Sequence, residues 1–183
     1  MNTQEMLSES KFYMGYSRFN EESKTYESWD EAVGRVMQMH RDKYADVMTP
    51  ELEQEISFAE QAYKDKLVLG AQRALQFGGE QLMKHQARMY NCSVSHCDRP
   101  AFFNESFYLL LCGCGVGFSV QEHHIAKLPK IKKRSDKKVK VFHVPDSIEG
   151  WADSLAVLLS SYFVDGGVFP EYKGCQVHFD YTN

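Results

Sequence analysis

The sequence predicts an α/β protein in two parts, a helical region over residues 1–86 and an α/β region over 87–183. Three observations predict it. Apolar residues recur at helical spacing through the first third, short apolar strand-like runs alternate with helical stretches after Ala87, and paired or clustered glycines separate them. Strands alternating with helices imply crossover connections and a parallel sheet layer.

The helical region is justified element by element. Ser28-Trp-Asp-Glu31 has the form of a capping box, in which hydroxyl and carboxylate satisfy orphan amides at a helix start. Trp29, Val33, Val36, Met37 and His40 follow as one stripe. Thr49-Pro50-Glu51 combines a capping hydroxyl, a first-turn proline and an early acid, and Leu52, Ile56, Ala59 and Tyr63 continue on one face. Gly78-Gly79 ends a further helix around Ala71–Phe77.

In the second region, 87–93 reads as a short strand, followed by a loop through Asp98-Arg-Pro100 and an apolar helix over 104–111. Val116–Val120 is a strand behind a glycine bend, and 127–140 is a basic loop or exposed hairpin. Val139–His143 is a strand, and Asp146-Ser-Ile-Glu149 caps a helix with Ile148, Trp151, Leu155, Leu158 and Leu159 inward. Gln176–Asp180 is a last strand. The chain stops just after it, at Asn183, so the layer is expected to be incomplete and to need a partner at its open edge.

Composition narrows the function classes. A net charge of −4 gives no global reason to expect nucleic acid or an anionic membrane as partner. The longest apolar run, Phe107–Cys112, is far below the roughly 20 residues that span a bilayer. The acidic N-terminus lacks a signal-peptide core, so a cytoplasmic location is expected. Five cysteines, an odd number without an export signal, argue against a secreted disulfide scaffold.

The cysteines are Cys92, Cys97, Cys112, Cys114 and Cys175. The first four raise a zinc reading, yet their C-x₄-C and C-x-C spacings depart from the usual knuckle; no metal site is expected. Gly113-Cys-Gly-Val-Gly117 is neither a dinucleotide fingerprint nor a P-loop. Its glycines fit tight packing at a strand entry as well as close approach of a ligand. His123-His124, taken as strand neighbours, would point to opposite faces. The run from Lys127 to Lys140 carries eight Lys or Arg and one Asp, a solvated loop or a phosphate-binding one. Cys175 reads as a buried thiol. Cys92 alone reads as a buried, inert thiol or a catalytic one.

Several segments together resemble the monomeric, cobalamin-dependent (class II) ribonucleoside-triphosphate reductases. They are Arg73-Ala-Leu-Gln-Phe-Gly-Gly79, Ala87-Arg-Met-Tyr-Asn-Cys-Ser93, Gly113-Cys-Gly-Val-Gly-Phe-Ser-Val-Gln121 with His123-His124 and Lys127-Leu-Pro129, and Val144-Pro-Asp-Ser-Ile-Glu-Gly-Trp-Ala-Asp153. Tyr16-Ser-Arg18 and the Glu27–Trp29 helix start are also similar, so the likeness runs in order along nearly the whole chain.

The resemblance implies a helical region followed by the first part of a ten-stranded α/β barrel, with an inserted effector-binding segment over about 120–175. It implies that Cys92 is one of two cysteines that reduce the substrate ribose, end in a disulfide and are re-reduced by a thioredoxin-type system. Asn91 and Ser93 would flank a ribonucleoside triphosphate, with Gly115 and Gly117 beside it. Gln121, His123, His124, Lys127 and Lys130 would serve a deoxynucleoside triphosphate effector.

The family's radical cysteine and catalytic glutamate, in an Asn-Pro-Cys-Gly-Glu-type loop, are missing from this sequence. The resemblance therefore implies a fragment, inactive alone, that joins a downstream fragment carrying both residues and most of the adenosylcobalamin surface. Two alternatives stay open: a non-catalytic allosteric or assembly module of the same complex, and a small zinc-binding adaptor.

Overall fold

The computed structural model describes residues 2–182. The chain divides into two compact units, 1–89 and 90–183.

The first unit is helical. Helix α1 (Thr3–Gly15) starts at Asn2, whose side chain accepts from the Glu5 amide while Glu5 reaches back to the Asn2 N–H. Helix α2 (Trp29–Lys43) begins at Ser28 with the expected capping box, and α3 (Pro50–Lys64) begins at Thr49, whose hydroxyl accepts from Leu52. Short helices α4 (Gln72–Phe77) and α5 (Glu80–Lys84) meet at Gly78-Gly79, where Gly79 has φ +96°. That left-handed backbone strains any side chain, which is why a glycine stands there. A small antiparallel hairpin, β1 (Phe19–Asn20) with β2 (Thr25–Tyr26), was not foreseen from the sequence; two-residue strands are too short to show alternation.

The core of this unit gathers Phe12, Val33, Val36, Ile56, Tyr63 and Leu75. Trp29 sits at its border, edge-on to Phe12 and Tyr63, and donates its indole N–H to the carbonyl of Lys64 at 3.0 Å. Ala59, expected on the buried stripe of α3, is exposed. Arg35 and Glu27, each 16% exposed, pair at 2.7 Å, and Arg35 also donates to the carbonyls of Leu75 and Gly78. One guanidinium thus satisfies the end of α4 that has no helical partner.

The second unit consists of two strand–helix–strand crossovers. β3 (Cys92–His96) runs through α6 (Phe102–Leu111) to a parallel β4 (Gly115–Ser119). β5 (Ser135–His143) runs through α8 (Ile148–Ser160) to a parallel β6 (Cys175–Asp180). Parallel strands need such a crossover, and a helix supplies it. A short helix α7 (Glu122–Ile125) follows β4, and α6 packs on α8. Among the described residues no helix is long and apolar enough to cross a membrane.

Five local expectations are corrected. The strand expected over 87–93 begins only at Cys92, because 86–89 forms a 3₁₀ turn. Residues 127–140 form no hairpin: the second half belongs to β5, which pairs in parallel with β6 through a register shift between Ser135 and Val139. Helix α8 is capped by Ser147, not Asp146, and it buries Gly150, Ala152, Ala156, Val157 and Ser160. Trp151 is instead 42% exposed and stacks on Tyr181 at 5.6 Å, since small residues let α8 approach its neighbours more closely than the leucine stripe would. His123 and His124 lie on α7, not on a strand. The open edge assigned to Asn183 and the side chain of Asp136 lie outside the described residues.

Candidate functional site

The β3–β4 pair sets the geometry around Cys92. Cys92 stands directly across from Gly115, Val94 from Gly117 and His96 from Ser119. Paired residues in a parallel ladder project to the same face, and alternate residues share it. Cys92, Val94, His96, Gly115 and Gly117 therefore lie on one face, with Ser93, Ser95, Val116 and Phe118 on the other. The second face carries α6, where Phe102 meets Phe118 edge-on at 5.1 Å. The first is open: Cys92 is exposed, and Val94 keeps 82% of its surface.

The backbone beside the thiol is firmly held. The Gly115 N–H donates to the Asn91 carbonyl at 2.8 Å, and the Ser93 hydroxyl reaches the Gly115 carbonyl at 3.4 Å. A Cβ built at Gly115 would meet nothing closer than the Asn91 carbonyl at 3.6 Å; at Gly117 the nearest atom is the Ser93 carbonyl at 3.8 Å. Both are ordinary contacts. Tight packing inside this chain therefore does not require these glycines, and their effect is to leave flat backbone next to Cys92.

The five cysteines are all thiols, of which Cys97, Cys112, Cys114 and Cys175 are buried. Burial, with the neighbouring Asp98 charge adding to it, pushes the Cys97 thiol above its ordinary pKa. Among the described residues no group of three or more His, Cys, Asp or Glu is arranged to hold a metal ion, so the four cysteines of the zinc reading are not brought together as a site.

The candidate effector residues fall at the other end of the same strand pair. His96 lies four residues beyond Cys92, about 13 Å along a strand. There α7 folds against the ends of β3 and β4. His124 Nδ1 lies 2.9 Å from the Ser119 hydroxyl, and its ring stands 4.5 Å from His96 and 4.0 Å from His123. Gln121 immediately precedes α7, and Lys127 approaches Asp98 at 3.4 Å. Lys130 lies on the next segment, where its carbonyl accepts from the Val164 amide beside an Ile131–Phe163 bridge. Partial burial, then the positive neighbours His123, His96 and Lys127, hold the His124 pKa below its usual value.

His96 was missed from the sequence. Its signal was there, since it falls on the same alternation as Cys92, but a strand read as ending at Ser93 hides it.

Neither a protein-family model nor a curated protein matches this chain. Among solved structures, the crystal structure of a B12-dependent (class II) ribonucleotide reductase superposes with a TM-score of 0.73 over 93% of the chain, at 22% identity. The chain has the fold of part of that reductase. It spans 32% of the reductase's length. The mixed helix and sheet architecture read from the sequence is thereby matched to a portion of a known fold.

Proposed function

We propose that this chain is a fragment of a cobalamin-dependent ribonucleoside-triphosphate reductase and that Cys92 is one of its two reducing thiols. The observation that carries this reading is an exposed thiol across from Gly115, with Gly117 on the same face, on a chain with the fold of part of a class II reductase.

The chemistry follows from the thiol. Cys92 and a second cysteine on a downstream fragment supply two electrons and two protons. The 2′-hydroxyl of the ribonucleotide leaves as water, a C–H bond forms at that carbon, and the two sulfurs join in a disulfide. A thioredoxin-type dithiol then exchanges with the disulfide and restores both thiols, which requires sulfur access from solvent. Asn91 and Ser93, with Gly115 and Gly117, would frame the ribose by bringing backbone and small side chains up to it.

Two open cavities of about 520 and 620 Å³, one in each unit, are too small to enclose a corrin with its adenosyl and nucleotide arms. Neither of these two cavities holds the whole cofactor, and we assign adenosylcobalamin, with the radical cysteine and the catalytic glutamate, mainly to the downstream fragment. The two parallel pairs each consist of two strands among the described residues, leaving unpaired edges against which further barrel strands could form. In this reading Gln121, His123, His124, Lys127 and Lys130 serve a deoxynucleoside triphosphate effector.

The test is reconstitution. This chain, the downstream fragment, adenosylcobalamin, a ribonucleoside triphosphate and a dithiol are mixed and deoxynucleotide is measured. Activity is expected; none from a demonstrably assembled mixture would overturn the proposal.

A further inference from the structure

Three imidazoles meet where β3 and β4 end. The His124 ring lies 4.5 Å from that of His96 and 4.0 Å from that of His123, and the Ser119 hydroxyl holds its Nδ1 at 2.9 Å. His96 and His123 are exposed, and His124 is half-buried between them. Lys127, two residues beyond α7, is also exposed.

Three imidazoles this close cannot all be protonated without strong mutual repulsion. At the cluster's centre, partial burial and these neighbours hold the His124 pKa below its usual value. The groups acting on its centre are His123, His96 and Lys127, which oppose a proton on His124, and Asp98, which favours one. Asp98 is itself held by Arg99 at 3.1 Å and by Lys127 at 3.4 Å, and the Cys97 thiol beside it is buried. Glu122 opens α7 and is exposed, as is Gln121 before it. A multiply charged anion set among the rings would reverse the sign of the local field. Protonation would then be favoured, each imidazolium becoming a donor to the anion.

We infer that His96, His123 and His124, with Lys127, form a polyphosphate seat that takes up protons as it binds. Binding and protonation are linked, so each must strengthen the other. The inference rests on the effector reading for the identity of the physiological ligand, but not for the proton linkage. It adds His96 to the site and makes effector affinity depend on pH, tightest in mildly acidic solution.

The experiment is calorimetric titration of the full chain with inorganic tripolyphosphate, in buffers of different ionisation enthalpy, between pH 6 and 8. The heat should vary with the buffer, reporting net proton uptake, and the dissociation constant should rise by up to about tenfold per pH unit. His96→Gln, at an exposed position, should cut the proton uptake while the protein stays folded. His124→Gln should cut it further. Lys127→Ala should weaken binding yet leave the proton uptake in place. No tripolyphosphate binding, binding without proton exchange, or uptake unchanged in both histidine variants would overturn the inference. Deoxynucleoside triphosphates binding no tighter than tripolyphosphate would instead remove the effector reading and leave the proton-linked seat standing.

Discussion

Cys92 faces Gly115 across a parallel strand pair, and no side chain of this chain is required in the space above that glycine. An exposed thiol beside bare backbone is an arrangement for admitting a ligand, and it carries the first two predictions.

Cys92→Ser should leave the fold intact, because an exposed position of this kind changes stability by less than about 0.5 kcal/mol. If the proposed function holds, assembly with the downstream fragment should survive and deoxynucleotide formation should not. In the native protein a water-soluble disulfide reagent should titrate one thiol rapidly; the four buried thiols should react only on unfolding. Equal rates for all five, or full turnover of the serine variant with a thioredoxin-type reductant, would return Cys92 to a structural role.

Gly117→Val should be neutral to stability or raise it by about 0.5–1 kcal/mol, since a Cβ has room there and a strand glycine costs backbone entropy. The same change should slow the reaction of Cys92 with bulky disulfides and, on the proposed function, weaken substrate binding in the reconstituted mixture. Thermal unfolding and thiol-exchange rates, measured side by side, separate the two effects.

Gly150→Ala is expected to behave oppositely. A Cβ there would stand 2.4 Å from the Pro145 carbonyl and 2.8 Å from the Pro145 ring, both stiff neighbours. The start of α8 would have to shift, at a cost of about 1–3 kcal/mol. Denaturant unfolding followed through Trp151, on the same helix, should show the loss.

Arg35→Ala should destabilise the first unit by about 3–5 kcal/mol. It takes the guanidinium from the half-buried Glu27 carboxylate, which keeps the Arg18 amide at 3.3 Å, and removes the Arg35 donor from the carbonyls of Leu75 and Gly78. Arg35→Lys should recover only part of this, because a point charge cannot reproduce the fork that spans a carboxylate and two carbonyls. Helical circular dichroism against denaturant is the readout.

The pH dependence has a definite sign. The His124 pKa in the folded chain lies below the ordinary histidine value of 6.5, through partial burial and its positive neighbours. Its contribution to stability is therefore present above the unfolded value and lost as pH falls through the folded one. Asp180, held low by hydrogen bonds from Thr182 and by His143, adds a second loss at lower pH, as it too becomes protonated. In the absence of anions, stability should fall below about pH 6.5, and His124→Gln should flatten that part of the curve. An unchanged pH profile in the variant would contradict the assignment.

Much of the helical region was legible because its signals are local. The capping serine at Ser28, the capping threonine at Thr49 and the break at Gly78-Gly79 all act within one turn of their own backbone. The crossover pattern after Ala87 was legible for the same reason, since alternation and helical spacing are properties of short windows. Cys92 stood out through the segment around it, and His96 did not, because the strand's far end depends on pairing with β4, some twenty residues away.

By itself, then, the sequence determined where helices start and stop, that strands and helices alternate, and that a distinctive cysteine and a glycine-rich run each stand on a strand candidate. Only the tertiary structure decided what those residues face. It placed Gly115 across from Cys92, turned Trp151 outward in favour of Ala152 and Ala156, and gathered His96, His123 and His124 into one cluster. The physical reason is common to all three. Register, helix approach and side-chain clustering arise from contacts between residues distant in the chain, whereas caps, turns and periodicity are written into neighbours.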